Sequence, residues 1–172
     1  MTMDLKAKIR HVPDFPKAGI LFYDITTLLQ DPAGFRAAMD SLSLPFNDQA
    51  IDIVVGIESR GFILGAVVAD RLGAGFALVR KPGKLPSTCV RTTYELEYGS
   101  DSLEMHEDAV RPGQRVLIVD DLLATGGTAR ATLDLVRGLG GTVIGLAFLI
   151  ELTALKGRDR LAGEQVSAVL QY

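Results

Sequence analysis

Apolar runs alternate along this chain with stretches whose apolar residues recur every three or four positions. Short apolar runs rich in β-branched residues, typical of buried strands, lie at residues 51–57, 76–79, 116–119 and 142–150. Helical spacing occurs at residues 4–9, 31–42, 61–72 and 128–137. Asp31-Pro32 predicts a helix start, and Gly73 and Gly138 predict helix ends. This alternation predicts an α/β fold with a central, mainly parallel sheet flanked by helices.

Residues 80–108 depart from the alternation. Polar alternating stretches at residues 93–98 and 102–106 flank Gly99-Ser100-Asp101, which is a hairpin turn signal. We therefore expect a flexible β-hairpin arm or lid outside the sheet. No second domain is indicated, so residues 1–172 are predicted to form one domain.

Composition narrows the class of protein. The net charge of −3 argues against a surface that binds nucleic acid. The single cysteine, Cys89, allows neither an intrachain disulfide nor a cysteine zinc site. The chain shows no signal peptide and no apolar run of the ~18 residues needed for a membrane span. We therefore expect a cytoplasmic protein with no membrane partner.

The strongest chemical signal follows the apolar run at residues 116–119. Two carboxylates, Asp120 and Asp121, come first, and a loop of small residues comes next: Ala124, Thr125, Gly126, Gly127 and Thr128. Backbone N–H groups of such a loop, with the following helix N-terminus, are suited to bind a phosphate. Acids beside a phosphate site make chemical sense if they face sugar hydroxyls or a carbon that becomes cationic. The pattern therefore predicts a sugar phosphate ligand.

Other interpretations of this motif fit less well. An ordinary strand-to-helix turn with two N-capping acids is the plain structural alternative. No lysine follows the glycines, as a Walker A loop requires, and the dinucleotide pattern Gly-x-Gly-x-x-Gly is absent.

Two further groups of residues suit a pyrophosphate. Ser59 and Arg60 lie between a predicted strand and helix, where backbone N–H groups and the guanidinium are able to bind an anion. Arg80, Lys81 and Lys84 cluster in a loop bounded by proline and glycine. The structural alternatives are a Ser59 helix cap with a solvated Arg60, and a solvated basic loop.

A close resemblance to the 5-phosphoribosyl-1-pyrophosphate (PRPP) motif of type I phosphoribosyltransferases is found at residues 119–128, Val-Asp-Asp-Leu-Leu-Ala-Thr-Gly-Gly-Thr. The residue types at these positions resemble those of the adenine-specific members. The resemblance implies transfer of a phosphoribosyl group from PRPP to N9 of adenine, giving AMP and pyrophosphate. Asp120 and Asp121 would then be catalytic and bind the ribose hydroxyls. Mg²⁺ would be bound mainly through PRPP, pyrophosphate and water rather than by protein ligands. The family also implies a homodimer.

The same resemblance extends to other segments. Residues 19–26 resemble an adenine-binding hood, at about 9–30, in which Leu21, Phe22 and Tyr23 bind the base. On the lid, at about 80–108, Glu97 matches the acid that helps deprotonate N9. The family's pyrophosphate loop often has a cis peptide, which here would join Glu58 and Ser59. Residues 151–158 resemble a segment that caps the site or the dimer.

Alternatives remain open at these positions. Phe22 is equally consistent with a core residue, and Glu97 with a surface strand charge. Many relatives carry Arg at the Tyr23 position and Asp at the Glu58 position. The base could also be another purine or a pyrimidine. From a different class, the chain could be a PRPP-sensing regulator without catalysis.

Overall fold

The order of helices and strands follows the predicted alternation in a computed structural model, which describes residues 3–96 and 99–172. The elements in chain order are β1 (Arg10–Pro13), β2 (Leu21–Asp24), α1 (Thr26–Gln30), α2 (Pro32–Ser43), β3 (Ile53–Ile57), α3 (Arg60–Leu72), β4 (Gly75–Arg80), β5 (Cys89–Glu95), β6 (Ser100–His106), β7 (Arg115–Leu123), α4 (Gly127–Gly138), β8 (Thr142–Glu151) and β9 (Val166–Gln171). Short 3-10 helices lie at Lys6–Lys8, Leu44–Phe46, Thr153–Leu155 and Gly157–Leu161.

The chain divides into the units Met1–Ser41 and Leu42–Tyr172. In the first unit, β1 and β2 pair in antiparallel fashion, with Val12 opposite Phe22. The Asp31 carboxylate accepts a hydrogen bond from the Gly34 backbone N–H at 3.1 Å, which confirms the helix cap predicted from Asp31-Pro32.

The second unit is built on a sheet that, within the described residues, has seven strands in the order β5-β6-β4-β3-β7-β8-β9. The neighbouring strands β4, β3, β7, β8 and β9 pair in parallel. β6 pairs in antiparallel fashion with both β4 and β5. The mainly parallel sheet is therefore confirmed. β9 was not predicted, and it extends the sheet beyond β8.

The two long helices of this unit cover opposite faces of the sheet. Val55 and Ile57 of β3 belong to the hydrophobic cluster that includes Leu133 of α4. Gly56 lies between them in sequence, and a Cβ on Gly56 would meet the Phe76 ring and the Gly61 carbonyl of α3. Because side chains alternate along a strand, α3 and α4 pack on different faces.

The predicted hairpin exists, but its base is part of the sheet rather than an excursion from it. β6 pairs with β4 through Val79 opposite Met105 and Arg80 opposite Glu104. Leu103 and Met105 are 1% and 0% exposed and join the hydrophobic core, because every second residue of β6 faces inward. The polar pattern in the sequence concealed this buried face.

Two predicted boundaries are also wrong. β7 does not end before the acid pair, because its pairing with β8 continues to Leu123 opposite Glu151. α4 includes Gly138, and its C-cap is Leu139. The left-handed glycine that closes the helix is Gly140, with a φ of 88°, whose N–H donates to the Arg137 carbonyl at 2.9 Å.

The close approach of α3 to the sheet predicts that Gly56→Ala destabilises the fold. Its Cβ would lie 2.6 Å from the Phe76 ring and 2.9 Å from the Gly61 carbonyl oxygen. We expect the free energy of unfolding in urea to fall by about 1–3 kcal/mol, as for other overpacked cores. Gly138→Ala is the matched control: its Cβ meets nothing within 4 Å. A Gly56→Ala variant as stable as this control would contradict the packing described.

Candidate active site

The acid pair lies in the last part of β7, held by pairing with β8. Asp120 lies opposite Phe148, and Leu122 opposite Ile150. Asp120 and Asp121 are 9% and 8% exposed. Both line an open cleft of about 200 Å³ together with Arg60, Phe148 and residues 122–129. The predicted acids and the predicted phosphate loop therefore share one cleft.

The two carboxylates have different electrostatic environments. Burial and the neighbouring Asp121 charge raise the pKa of Asp120 well above its ordinary value. The Asp121 backbone N–H donates to Asp120 Oδ1 at 2.8 Å. Asp121 Oδ2 instead accepts a hydrogen bond from Arg60 Nε at 2.5 Å. Arg60 thus lies beside the acid pair and compensates part of its negative charge.

These positions argue against capping of α4 by an acid and against a merely solvated Arg60. Gly126, not an acid, occupies the N-cap of α4, and no side chain caps that helix. Ser59 does occupy the N-cap of α3, but it makes no capping hydrogen bond. Arg60 is ion-paired with Asp121 rather than merely solvated.

The 124–128 loop connects β7 to the N-terminus of α4. Gly126 has a φ of 84°, a left-handed conformation that favours glycine. The first turn of α4 carries no acidic residue, so its N–H groups keep the positive end of the helix dipole. This geometry is suited to bind a phosphate.

Tyr94 of β5 reaches this loop, which the sequence did not predict. Its hydroxyl lies 3.3 Å from the Thr128 hydroxyl and 3.4 Å from Asp101 Oδ2. A Cβ on Gly127 would lie 3.3 Å from the Tyr94 ring, so the ring covers the start of α4. The only sequence signal was its place in the alternating pattern of the hairpin.

Glu58 organises the second loop and two of the predicted cations. The peptide bond between Glu58 and Ser59 is cis, as the family resemblance implied. The Glu58 carboxylate accepts hydrogen bonds from Arg80 Nε at 3.0 Å and the Lys81 backbone N–H at 2.8 Å. Lys84 Nζ lies 4.0 Å away. Burial opposes the charge of Glu58, but these contacts outweigh it and lower the pKa of this carboxyl.

The Lys81 side chain is directed to the hairpin instead. It forms an ion pair with Asp101 of β6. Burial disfavours the charged amine, but the contacts with Asp101 and Tyr94 outweigh burial and raise the pKa of Lys81. Ser59, Arg80, Lys81 and Lys84 are not among the residues that line the cleft.

The predicted adenine-binding residues lie on β2 in the first unit. Leu21 is 44% exposed. Phe22 is half-buried and packs edge-to-face on Phe15 with ring centroids 5.1 Å apart, so it is not a fully buried core residue. Tyr23 packs in the same manner on His11 at 5.2 Å. Glu97, the predicted proton acceptor, lies outside the described residues.

Comparison with known proteins points to one family. A model of the phosphoribosyl transferase domain matches residues 24–166. The adenine phosphoribosyltransferase of Solibacter usitatus is 62% identical over 169 residues, covering 98% of each chain. The crystal structure of the enzyme from Rhodothermus marinus is 58% identical with a TM-score of 0.95, covering 98% of this chain and 96% of that one.

A third relative was solved with ligands. The adenine phosphoribosyltransferase of Saccharomyces cerevisiae, complexed with adenine and D-2,5-dideoxy-2,5-imino-altritol 1,6-bisphosphate, is 42% identical with a TM-score of 0.90 over 96% of each chain. These findings confirm the predicted fold class and the prediction of an enzyme over a regulator. The chain therefore belongs to the adenine phosphoribosyltransferases, a family of purine-salvage enzymes that form AMP.

Proposed function

We propose that the cleft at the end of β7 binds the phosphoribosyl group of PRPP and that N9 of adenine attacks C1 of its ribose. The observation that carries this proposal is the shared cleft of an acid pair and a helix N-terminal loop. The yeast relative, complexed with adenine and a sugar-like bisphosphate, supports a ligand of this kind.

The two ends of the cleft have separate roles. Backbone N–H groups of residues 124–128 and the hydroxyls of Thr125 and Thr128 donate hydrogen bonds to the 5-phosphate. Asp120 and Asp121 accept hydrogen bonds from the 2- and 3-hydroxyls of ribose. As the C1–pyrophosphate bond breaks, the ring becomes oxocarbenium-like, and the nearby carboxylates stabilise its positive charge. The bond electrons leave with pyrophosphate.

Pyrophosphate is bound by the cations around the second loop. Arg60, together with the Ser59–Arg60 backbone at the start of α3, lies beside the acid pair. A hydrogen bond to Glu58 fixes the position of Arg80 before the substrate arrives, and Lys84 Nζ lies 4.0 Å from the same carboxylate. Lys81 is a third cation of the same loop, although its side chain forms an ion pair with Asp101 of β6.

The base is bound by Leu21, Phe22 and Tyr23. The Phe22 ring stacks on the purine, and backbone groups of Leu21 and Tyr23 bind its edge. A carbonyl acceptor pairs with the 6-amino group of adenine and leaves the 6-oxo group of hypoxanthine or guanine without a donor. Glu97 accepts the N9 proton.

The side chains present fit a magnesium ion carried by the substrate. Among residues 3–96 and 99–172, no group of three or more His, Cys, Asp or Glu side chains is arranged to hold a metal ion. Mg²⁺ commonly binds substrate phosphates and water, so the ion would be held mainly through PRPP, pyrophosphate and water, near the carboxylates of Asp120 and Asp121 that line the cleft. When bound, the ion would neutralise charge on the leaving pyrophosphate.

The functional unit and its location are also proposals. We infer that residues 1–172 act as one phosphoribosyltransferase domain in a cytoplasmic homodimer. None of the helices in the described ranges combines the length and apolar character of a membrane span. Exposed apolar side chains on α3 and β4, Ile63 at 46% and Leu78 at 36%, support an interface between copies.

Incubation with PRPP, Mg²⁺ and each of adenine, hypoxanthine, guanine, xanthine and uracil tests the reaction and its base. Chromatography should show AMP from adenine alone, and EDTA should abolish its formation until excess Mg²⁺ is added. A nucleotide from another base would contradict the assignment of Leu21, Phe22 and Tyr23. Undiminished AMP formation in EDTA would contradict the role of the metal.

The raised pKa of Asp120 predicts opposite effects of Asp120→Asn on stability and activity. Because the folded pKa lies above the ordinary value of 3.8, the stabilising contribution of Asp120 is present below pH 3.8 and lost as pH rises through the folded pKa. The neutral amide avoids this loss and keeps the acceptor for the Asp121 N–H. We therefore expect Tm at pH 7 to rise, and kcat to fall about 10²–10³-fold.

The pH dependence provides the control for this variant. The difference in Tm between Asp120→Asn and the unsubstituted chain should shrink as pH is lowered toward 3.8, where the carboxyl is protonated. A variant that is less stable than the unsubstituted chain at pH 7 would refute the assigned environment of Asp120. A variant that is as active as the unsubstituted chain would refute its catalytic role.

Sedimentation velocity tests the homodimer. We expect a species of twice the 18.5 kDa chain mass at micromolar concentration. Ile63→Glu, which places a charge on the proposed apolar surface, should shift this species toward the monomer. A monomer in the unsubstituted chain would refute the dimer, and an unaffected dimer in the variant would exclude this surface.

A further inference from the structure

The segment that follows β8 lies directly against the phosphate loop. Gly157 is buried at the start of a 3-10 helix. A Cβ on Gly126 would overlap the Gly157 carbonyl oxygen, and a Cβ on Gly157 would overlap the Ala124 carbonyl oxygen. The Leu123 side chain would lie 2.9 Å from the Cβ added at Gly157. The two backbones therefore pack together with no room for a side chain at either glycine.

An ion pair fixes this segment. Glu151, at the end of β8, is 4% exposed and accepts hydrogen bonds from Arg158 Nε and Nη2, each at 2.8 Å. Arg158 Nη1 also donates to the Val166 carbonyl at 2.9 Å. This fork-shaped contact holds the Glu151 pKa below its ordinary value. Both ends of the turn that carries Gly157 are thus attached to the sheet.

The same turn is attached to the strand that carries the acids. The Leu152 backbone N–H donates to the Leu123 carbonyl at 3.0 Å. Lys156, immediately before Gly157, is in the left-handed conformation, with a φ of 52°. Residues of the 151–158 segment therefore pack against the 124–128 loop and set its position.

We propose that Gly157 is a positioning residue for the 5-phosphate site, held in place by the Glu151–Arg158 pair. The proposal rests on the assignment of residues 124–128 as the 5-phosphate loop. Backbone N–H groups bind a phosphate only when they converge on it, so the loop needs a fixed conformation. The Gly157 backbone supplies the surface that fixes it. Gly157 itself contacts no substrate.

The test compares the binding of AMP and adenosine, which differ only in the 5-phosphate. Gly157→Ala displaces the loop at Ala124, so calorimetry should show AMP binding weakened about 10- to 100-fold, as expected when a hydrogen bond to the charged phosphate is lost. Adenosine affinity should stay unchanged, because the nucleoside does not use the loop. The KM for PRPP should rise while the KM for adenine stays constant.

Further variants keep the test decisive. Arg158→Lys retains the charge but loses the two-pronged contact, and it should weaken AMP binding to a smaller extent even if Gly157→Ala does not fold. Gly138→Ala and Arg130→Lys are matched controls in α4 and should bind both ligands normally. Thr128→Ala, which removes a proposed phosphate donor, tests the loop assignment independently.

The outcomes distinguish a failure of the positioning role of Gly157 from a failure of the phosphate assignment of the 124–128 loop. Normal AMP binding by Gly157→Ala, with weakened binding by Thr128→Ala, would overturn the positioning role and leave the phosphate loop intact. Normal AMP binding by both variants would overturn the loop assignment as well. An equal loss of AMP and adenosine binding in Gly157→Ala would show a general structural role and also overturn the inference.

Discussion

Two carboxylates stay in a buried strand because the pairing of β7 with β8 continues beyond the apolar run, as far as Leu123 opposite Glu151. The strand fixes the backbone of Asp120 and Asp121, so the positions of both acids are set before any ligand binds. The same pairing determines where the chain leaves the sheet. The 124–128 loop and the N-terminus of α4 therefore begin at the edge where ligands of open α/β sheets bind.

The negative charge at this edge has to be compensated. The fold supplies cations for this from the start of α3 and the end of β4. Burying a charge is costly unless it is paired and hydrogen-bonded. Arg60 at the start of α3 pairs with Asp121, and Arg80 at the end of β4 pairs with Glu58. β3 lies between β4 and β7 and runs parallel to both. The two ion pairs therefore form at the same end of the sheet. Arg60 and Arg80 therefore have carboxylate partners at this end of the sheet.

The apolar runs predicted the strands well because buried parallel strands are apolar on both faces. β9 was missed because its run at Val166–Gln171 is short, mixed in polarity and separated from β8 by an irregular connection. The proximity of the acid pair to the 124–128 loop was predictable because these residues are contiguous in sequence. The cleft brings both together.

Contacts between distant segments could not be predicted in the same manner. The role of Glu58 depends on the parallel register of Ile57 with Val79, which brings Arg80 and Lys81 to its carboxylate. The approach of Tyr94 to Thr128 depends on the position of the hairpin against α4. No local pattern of residues encodes either distance.

A crystal structure of the chain with ribose 5-phosphate would show whether one cleft binds both the phosphate and the ribose of PRPP, as we propose. We expect phosphate density within hydrogen-bond distance of the backbone N–H groups of residues 124–128. We also expect ribose hydroxyls on Asp120 and Asp121. Phosphate bound instead at Arg80 and Lys84, or a ribose that contacts neither acid, would contradict this proposal.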